Sequence, residues 1–220
     1  MGSKKEIKIP APCEKLAEFL GIFLGDGSVS SDYQVSISFN YQSEQLYASY
    51  VAGLIRELFG LTCARRIRPK HGCGDIIVNS GALVEFLFSQ NIKKGDKIRG
   101  NSSLPAWVFE TKETQTASAR GLFDTDGCVY LHRYNAGSTI YYYPKLAFTG
   151  YSAIIRKQFF DLLILMGFRP REYGMRVHLY SQDEVIRYFH EVGTHNMWHQ
   201  ARFEKFCKDR ELERFFTLVS

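Results

Sequence analysis

A chain of 220 residues is long enough for one large domain or two small ones, and with 45% hydrophobic and 15% aromatic residues it can build a real core. Its net charge of +5, from 28 basic against 23 acidic side chains, speaks against a polybasic tail and favours a nucleic-acid partner. Five cysteines without a C-x-x-C pair speak against a disulfide framework or zinc knuckle and point to a reducing, intracellular setting; no apolar run reaches membrane-spanning length, and no secretory signal precedes Pro10.

Pro10 and Pro12 open a helix with Glu14 in its first turn and with Leu16, Phe19, Leu20 and Phe23 at three- and four-residue steps. The pattern stops at Asp26, and Gly27 is expected in the left-handed conformation that ends many helices. Period two follows, with Val35, Ile37 and Phe39 alternating with Ser36, Ser38 and Asn40, as in a strand with one buried face. Ser43 is expected to cap a helix reaching Phe59, with Leu46, Tyr50, Leu54 and Leu58 inward and Gly60 as its stop. Residues 62–69 and 75–79 read as a hairpin turning at His71-Gly72-Cys73-Gly74, and 82–89 as a short apolar helix. The polar, basic stretch 91–113, with Pro105, reads as a linker.

The second half repeats this order. A helix from about residue 116 ends at Asp126-Gly127; strands are expected at 128–134 and 143–148, joined by a loop at 135–138, with Leu146 and Phe148 inward. Ser152 caps a helix through Phe159, Leu162, Leu163 and Met166 to Gly167. A hairpin across Tyr173-Gly174 buries Val177 and Leu179, a helix follows from 182 to 191, and 195–218 reads as a closing helix packing Trp198, Phe203 and Phe206. The expected fold class is α+β, with two αββαββα halves at 1–92 and 114–220 joined by a linker at 93–113.

One stretch occurs in both halves: residues 21–27 read G-I-F-L-G-D-G and residues 121–127 read G-L-F-D-T-D-G. Asp26 and Asp126 are thereby pinned at helix C-termini, where the helix dipole disfavours a carboxylate by a few tenths to about 1 kcal/mol. Gly21 and Gly25, like Gly121 and Thr125, give each helix a flat side where another backbone can approach. Packing those sides together would bring Asp26 and Asp126 side by side, and divalent cations with hard oxygen ligands, such as Mg²⁺, would relieve the repulsion. A single Asp-Gly is most simply a helix stop; two copies in matching contexts favour a shared site.

These residues resemble the LAGLIDADG homing endonucleases. The nine-residue signature maps onto 19–27 and 119–127, with its metal-binding acid at Asp26 and Asp126 and its earlier, non-catalytic acid replaced by Leu24 in the first copy and present as Asp124 in the second. Two signatures on one chain resemble the monomeric, pseudo-symmetric branch. The resemblance implies Mg²⁺-dependent cutting of both strands of a long double-stranded DNA site, with Mn²⁺ or Ca²⁺ able to substitute for binding. It also implies further metal contacts from the carbonyls of Gly25 and Thr125, and a central basic residue, for which Arg65 and Arg156 are candidates. Two alternatives within the same fold are an RNA maturase, which helps introns splice, and a DNA-binding protein that has lost catalysis.

Strand alternation places a set of polar and cationic side chains opposite the buried positions. In the first half these are Ser36, Ser38, Asn40, Arg66, Arg68, Asp75 and Asn79; in the second, Tyr130, His132, Lys145, Arg169, Arg171, Arg176 and His178. Such faces suit a ribbon in a DNA major groove, although any half-exposed sheet has a polar face. Lys70 and Lys145 could instead grip phosphates. Arg65 shares parity with Cys63 and Ile67 and should face inward.

Overall fold

The computed structural model describes residues 7–95 and 101–209. The first half runs α1 (Glu14–Asp26), β1 (Gly27–Ser31), β2 (Gln34–Asn40), α2 (Gln45–Phe59), β3 (Ala64–Arg68), β4 (Cys73–Asn79) and α3 (Gly81–Ser89). The second runs α4 (Lys112–Asp126), β5 (Gly127–Ala136), β6 (Thr139–Thr149), α5 (Ala153–Leu165), β7 (Arg171–Tyr173), β8 (Arg176–Leu179) and α6 (Gln182–Glu191), and α7 (Met197–Asp209) follows. Each half thus has the expected αββαββα order. Each also forms a four-stranded antiparallel sheet of the same topology, β1-β2-β4-β3 and β5-β6-β8-β7.

Alternation along the strands divides each sheet into a helix-covered and an open face. Val35, Ile37, Phe39, Ile76 and Val78 are buried beneath the helices of the first half, and Val129, Leu146, Phe148, Val177 and Leu179 occupy the same layer in the second. On α2 the buried stripe is Tyr47, Val51, Leu54, Ile55 and Leu58. Leu46 lies one position off that stripe and is 70% exposed, against the sequence expectation. Helix α2 also begins at Gln45 with Glu44 as its N-cap, so Ser43 does not cap it. The β5–β6 hairpin extends further than its sequence suggested, pairing Gly127 with Phe148 through to Ala136 with Thr139.

Helices α1 and α4 cross in backbone contact. A Cβ on Gly21 would lie 2.5 Å from the Ser118 carbonyl oxygen, and one on Gly121 would lie 2.3 Å from that of Glu18. Neither position tolerates a side chain without the helices separating. Gly27 and Gly127, expected in the left-handed region, are instead extended (φ −76 and −86). Their need for glycine is steric: a Cβ would meet the Phe23 carbonyl oxygen at 2.4 Å in one copy and that of Phe123 at 2.3 Å in the other. The chain therefore leaves each signature helix directly into a strand.

Among its described residues, the stretch between the halves packs against both of them. Leu104 exchanges backbone hydrogen bonds with the Gln158 amide on α5, and the Trp107 indole donates to Gln90 at the end of α3. The assigned linker also gives up its last two residues to α4, which begins at Lys112; its residues 96–100 lie outside the described residues. On α7 Phe203 and Phe206 are buried as expected, whereas Trp198 is 37% exposed, with Arg202 over its ring. Trp198 falls on the outer side of α7, whereas His199, one step round, is buried against Phe123. The remainder of the expected closing helix, 210–218, lies outside the described residues.

The glycine crossing can be tested directly. Gly121→Val should destabilise the chain by about 3 kcal/mol, the upper range for overpacking. Thermal unfolding should then show a drop of roughly 10 °C. An unchanged melting temperature would show that the helices do not meet at this position.

Candidate active site and nucleic-acid interface

The two aspartates are the last residues of α1 and α4. Beyond Gly21 and Gly121 the helix ends stay close: a Cβ on Gly25 would sit 1.9 Å from Thr125 Oγ1 and 3.2 Å from Asp126 Oδ2. The Asp126 carboxylate therefore reaches across to the residue that precedes Asp26. Asp26 itself lines an open cleft of about 350 Å³ together with Thr125, Ser38, Asn40, Glu44, His71 and Cys73. Two carboxylates brought together at two helix C-termini form a strongly negative point. The two carboxylates offer hard oxygen donors, which fit Mg²⁺ and its larger analogues.

Along the other stretch of the helix pair lies a second group of ionisable side chains. Glu18 is 2% exposed; its carboxylate accepts from the Tyr50 hydroxyl (2.7 Å) and Arg120 (2.8 Å) and meets His195 Nδ1 (2.6 Å). Burial raises the Glu18 pKa, but the His195 hydrogen bond and the Arg120 charge outweigh it and hold the carboxyl below its ordinary value. Asp124, 1% exposed, accepts from the Thr194 hydroxyl and from the His195 backbone N–H, and burial still pushes it up to about 7. Ligand atoms of Glu18, Asp124 and His195 lie within 4.8 Å of one another, close enough to surround an ion. Both carboxylates are already engaged by protein donors, however, and the Arg120 guanidinium sits on Glu18. These residues are better suited to tying α1, α4 and the 192–196 segment together than to holding a metal.

The open faces of the sheets carry most of the polar residues expected there. In register across the first sheet, Ser38 lies opposite Asp75 and Asp75 opposite Arg66, with Gln34 opposite Asn79. Asp75 is 3% exposed and accepts from Ser38, Arg66 and Arg68. It is a clamp that aims the arginines, not a group that reaches a ligand itself. Lys70 sits in the exposed 3-10 turn Pro69–His71. In the second sheet Tyr130 pairs with Lys145, His132 with Tyr143, and Arg171 with His178. His178 is buried beneath the Tyr180 ring, which stacks on it at 4.9 Å, and burial lowers its pKa. Arg169 lies outside the strands and pairs with Glu184 on α6, so it belongs to the helix side.

The two candidate basic residues each have a partner within their own half. Arg65 is in register with the buried Ile76, on the helix face of β3, and donates to Ser49 on α2. Arg156 binds Glu172 and the Gly150 carbonyl oxygen, fastening α5 to its own sheet. Sequence parity placed Arg65 on this face; its partner there is α2. Residues that sequence reasoning passed over are Gln34, which donates to Asn79, and the open-face tyrosines Tyr134, Tyr141, Tyr143, Tyr173 and Tyr180. Extending the period-two pattern along the hairpin would have found the first three. Glu18, Arg120, Glu44 and Asn196 were legible only as residues on helices or in loops.

No family profile matches the chain. The replication factor C small subunit of Methanocaldococcus jannaschii is 33% identical over 121 residues, which are 54% of this chain but 6% of that protein. Among solved structures, I-SmaMI bound to an uncleaved DNA target with calcium ions aligns at a TM-score of 0.60 and 10% identity, covering 93% of each chain. The LAGLIDADG meganuclease I-AabMI bound to uncleaved DNA gives 0.57 at 10% identity, over 90% of this chain and 91% of that one. DUF199/WhiA from Thermatoga maritima gives 0.54 at 14% identity, over 96% of this chain and 63% of that one. At such identities the likeness is one of fold, and at that level the resemblance seen in the signatures holds.

The Glu18 cluster generates a prediction about stability. Glu18→Gln removes the charge that faces Arg120 and should cost about 2 kcal/mol at neutral pH. Because the folded pKa of Glu18 is depressed, its contribution is complete above the ordinary carboxylate range and is lost as pH falls through the folded value. Urea unfolding of wild type and variant should therefore differ above the ordinary carboxylate range and converge once the pH has fallen through the depressed Glu18 value. A difference that is independent of pH would remove the charge from the explanation.

Proposed function

We propose that this protein, with the single-chain, two-signature fold of the LAGLIDADG homing endonucleases, is a site-specific DNA endonuclease that cuts both strands of a long double-stranded target. The observation that carries this reading is the meeting of Asp26 and Asp126 at two helix ends locked together by Gly21 and Gly121, beside two open polar sheet faces.

In this reading Asp26 and Asp126, with the carbonyls of Gly25 and Thr125, hold divalent cations, Mg²⁺ by donor chemistry and Mn²⁺ or Ca²⁺ for binding. Such ions supply an activated water and charge stabilisation for the leaving 3′ oxygen. The rest falls to the chain. Its two sheets, each built from the same αββαββα unit, fix one half of a pseudo-palindromic duplex apiece. Arg66 and Arg68, aimed by Asp75, and Arg171 and Arg176, exposed on the second sheet, offer forked donors suited to guanine edges. The polar strand residues Ser36, Ser38, Asn40 and Asn79 offer shorter contacts, and Lys70 and Lys145 suit phosphates. The protein acts as a monomer, because one chain supplies both aspartates and both sheets. No helix among the described residues is long and apolar enough to cross a membrane.

A second reading, an RNA-binding splicing helper, is favoured by the open-face tyrosines. Tyr134 and Tyr173 are strongly exposed, and Tyr141 and Tyr143 stack on each other with ring centroids 6.2 Å apart. Aromatic platforms of this kind suit unpaired bases. Cleavage of a plasmid library in Mg²⁺ separates the readings, because only the endonuclease linearises DNA at a defined sequence.

Asp26→Asn and Asp126→Asn should each abolish double-strand cleavage while DNA affinity in Ca²⁺ and folding are retained. Relief of the unfavourable helix ends should leave the melting temperature equal or higher, by at most about 1 kcal/mol of stability per site. If either variant still cuts both strands at near the wild-type rate, the two-aspartate reading fails. On the sheets, Arg68→Ala or Arg176→Ala should weaken DNA binding by roughly 1–3 kcal/mol and relax the base preference at the position it contacts. Unchanged selection of target sequences by both variants would place DNA on another surface.

A further inference from the structure

The two signature helices are alike in sequence, but at a buried position near their ends one carries an apolar side chain and the other a carboxylate. In α1 the residue before Gly25 is Leu24; in α4 the matching residue is Asp124, and both are buried. The segment Thr194-His195-Asn196, between α6 and α7, closes over Asp124. Thr194 Oγ1 and the His195 N–H bind the Asp124 carboxylate, and Asn196 Nδ2 donates to the Asp124 carbonyl oxygen at 2.9 Å. That carbonyl belongs to the last turn of α4, where the helix has no further N–H of its own to offer.

Asn196 is 0% exposed and makes a second bond of equal quality. Its Nδ2 also donates to Glu44 Oε1 at 2.8 Å, while the other Glu44 oxygen accepts from the Asn40 backbone N–H at 2.7 Å. Asn40 and Glu44 are both walls of the cleft that contains Asp26. The orientation of the amide is settled by its third bond, since Asn196 Oδ1 accepts from the Trp198 N–H and so caps α7. One buried amide thus joins the turn that presents Asp126 to the wall of the Asp26 cleft. The Leu24 side chain has no carboxylate with which to bind such a segment at the α1 end.

We infer that Asn196, acting with Glu44, is a positioning residue that sets the Asp126 end of α4 against the Asp26 cleft, and that its loss uncouples the two strand cuts. The inference rests on the endonuclease reading. Displacement of a reacting group by about 1 Å can slow chemistry ~100-fold, and the strap grips the backbone of the α4 end itself. Its removal should therefore fall unequally on the two strands.

The variant Asn196→Asp keeps a good N-cap for α7 but turns the bridging donor into a carboxylate facing Glu44. In a plasmid assay with each strand of the target labelled, N196D is expected to slow one strand at least ~10-fold more than the other, so that nicked circles accumulate. DNA affinity in Ca²⁺ should be unchanged. Adding Glu44→Gln restores a donor opposite the introduced carboxylate but not the bond to the Asp124 carbonyl, so linear product is expected to recover only in part. Equal slowing of both strands in step with a lowered melting temperature, or no slowing at all, would overturn the inference; full recovery by the second substitution would do so too, because the grip on α4 would then be without effect. Should the wild-type chain bind DNA yet cut neither strand, the endonuclease reading itself falls. The strap is then tested by Mn²⁺ titration of the DNA complex: weaker ion binding in N196D supports it, and an unchanged isotherm overturns it.

Discussion

Two helices in contact through bare backbone govern the rest of this molecule. Gly21 lies on the Ser118 carbonyl and Gly121 on that of Glu18, so the crossing point is set by the absence of side chains and not by interdigitation of large ones. Contact this close leaves little freedom in the separation of the helix ends. The aspartates are consequently forced together at a position where the helix dipole already disfavours them.

Around that crossing the two halves are similar in architecture and unlike in chemistry. The Glu18–Arg120–His195 group and the Asp124–Thr194–Asn196 group both lie where the first signature helix and its surroundings meet the second half. Their pseudo-symmetric positions are Ser118 and Leu20 for the first group and Leu24 for the second. Buried ion pairs contribute less to stability than their short distances suggest, because desolvation offsets most of the attraction. Their value here is geometric: each has only one satisfied arrangement, and each fixes a helix to a loop.

The open faces differ in the same manner. The first sheet presents short polar side chains and arginines held by a buried aspartate, so its donors are aimed before any ligand arrives. The second presents arginines amid a row of tyrosines on a hairpin that extends well past its neighbouring strand. Hydrogen-bonding and aromatic surfaces read different features of a nucleic acid. A single chain that carries one of each is suited to an asymmetric partner.

Residue pattern alone determined the repeat, the αββαββα order, the buried alternation in the strands and the two aspartates at helix ends. Each of these follows from local periodicity, or from a motif that occurs twice. It misplaced Leu46 and Ser43 at the start of α2, while Leu54 and Leu58 further along the helix are buried as expected. It gave Gly27 the wrong conformation, because a helix stop and a steric clash both select glycine. Arg65 and Arg156 were candidates for a central basic residue by resemblance, and only tertiary packing shows Ser49, Glu172 and the Gly150 carbonyl beside them. Asp75 as a clamp, and Asn196 as a bridge between α4 and Glu44, join residues distant in sequence. Periodicity reports which face a side chain takes, and only the folded chain decides what stands opposite it.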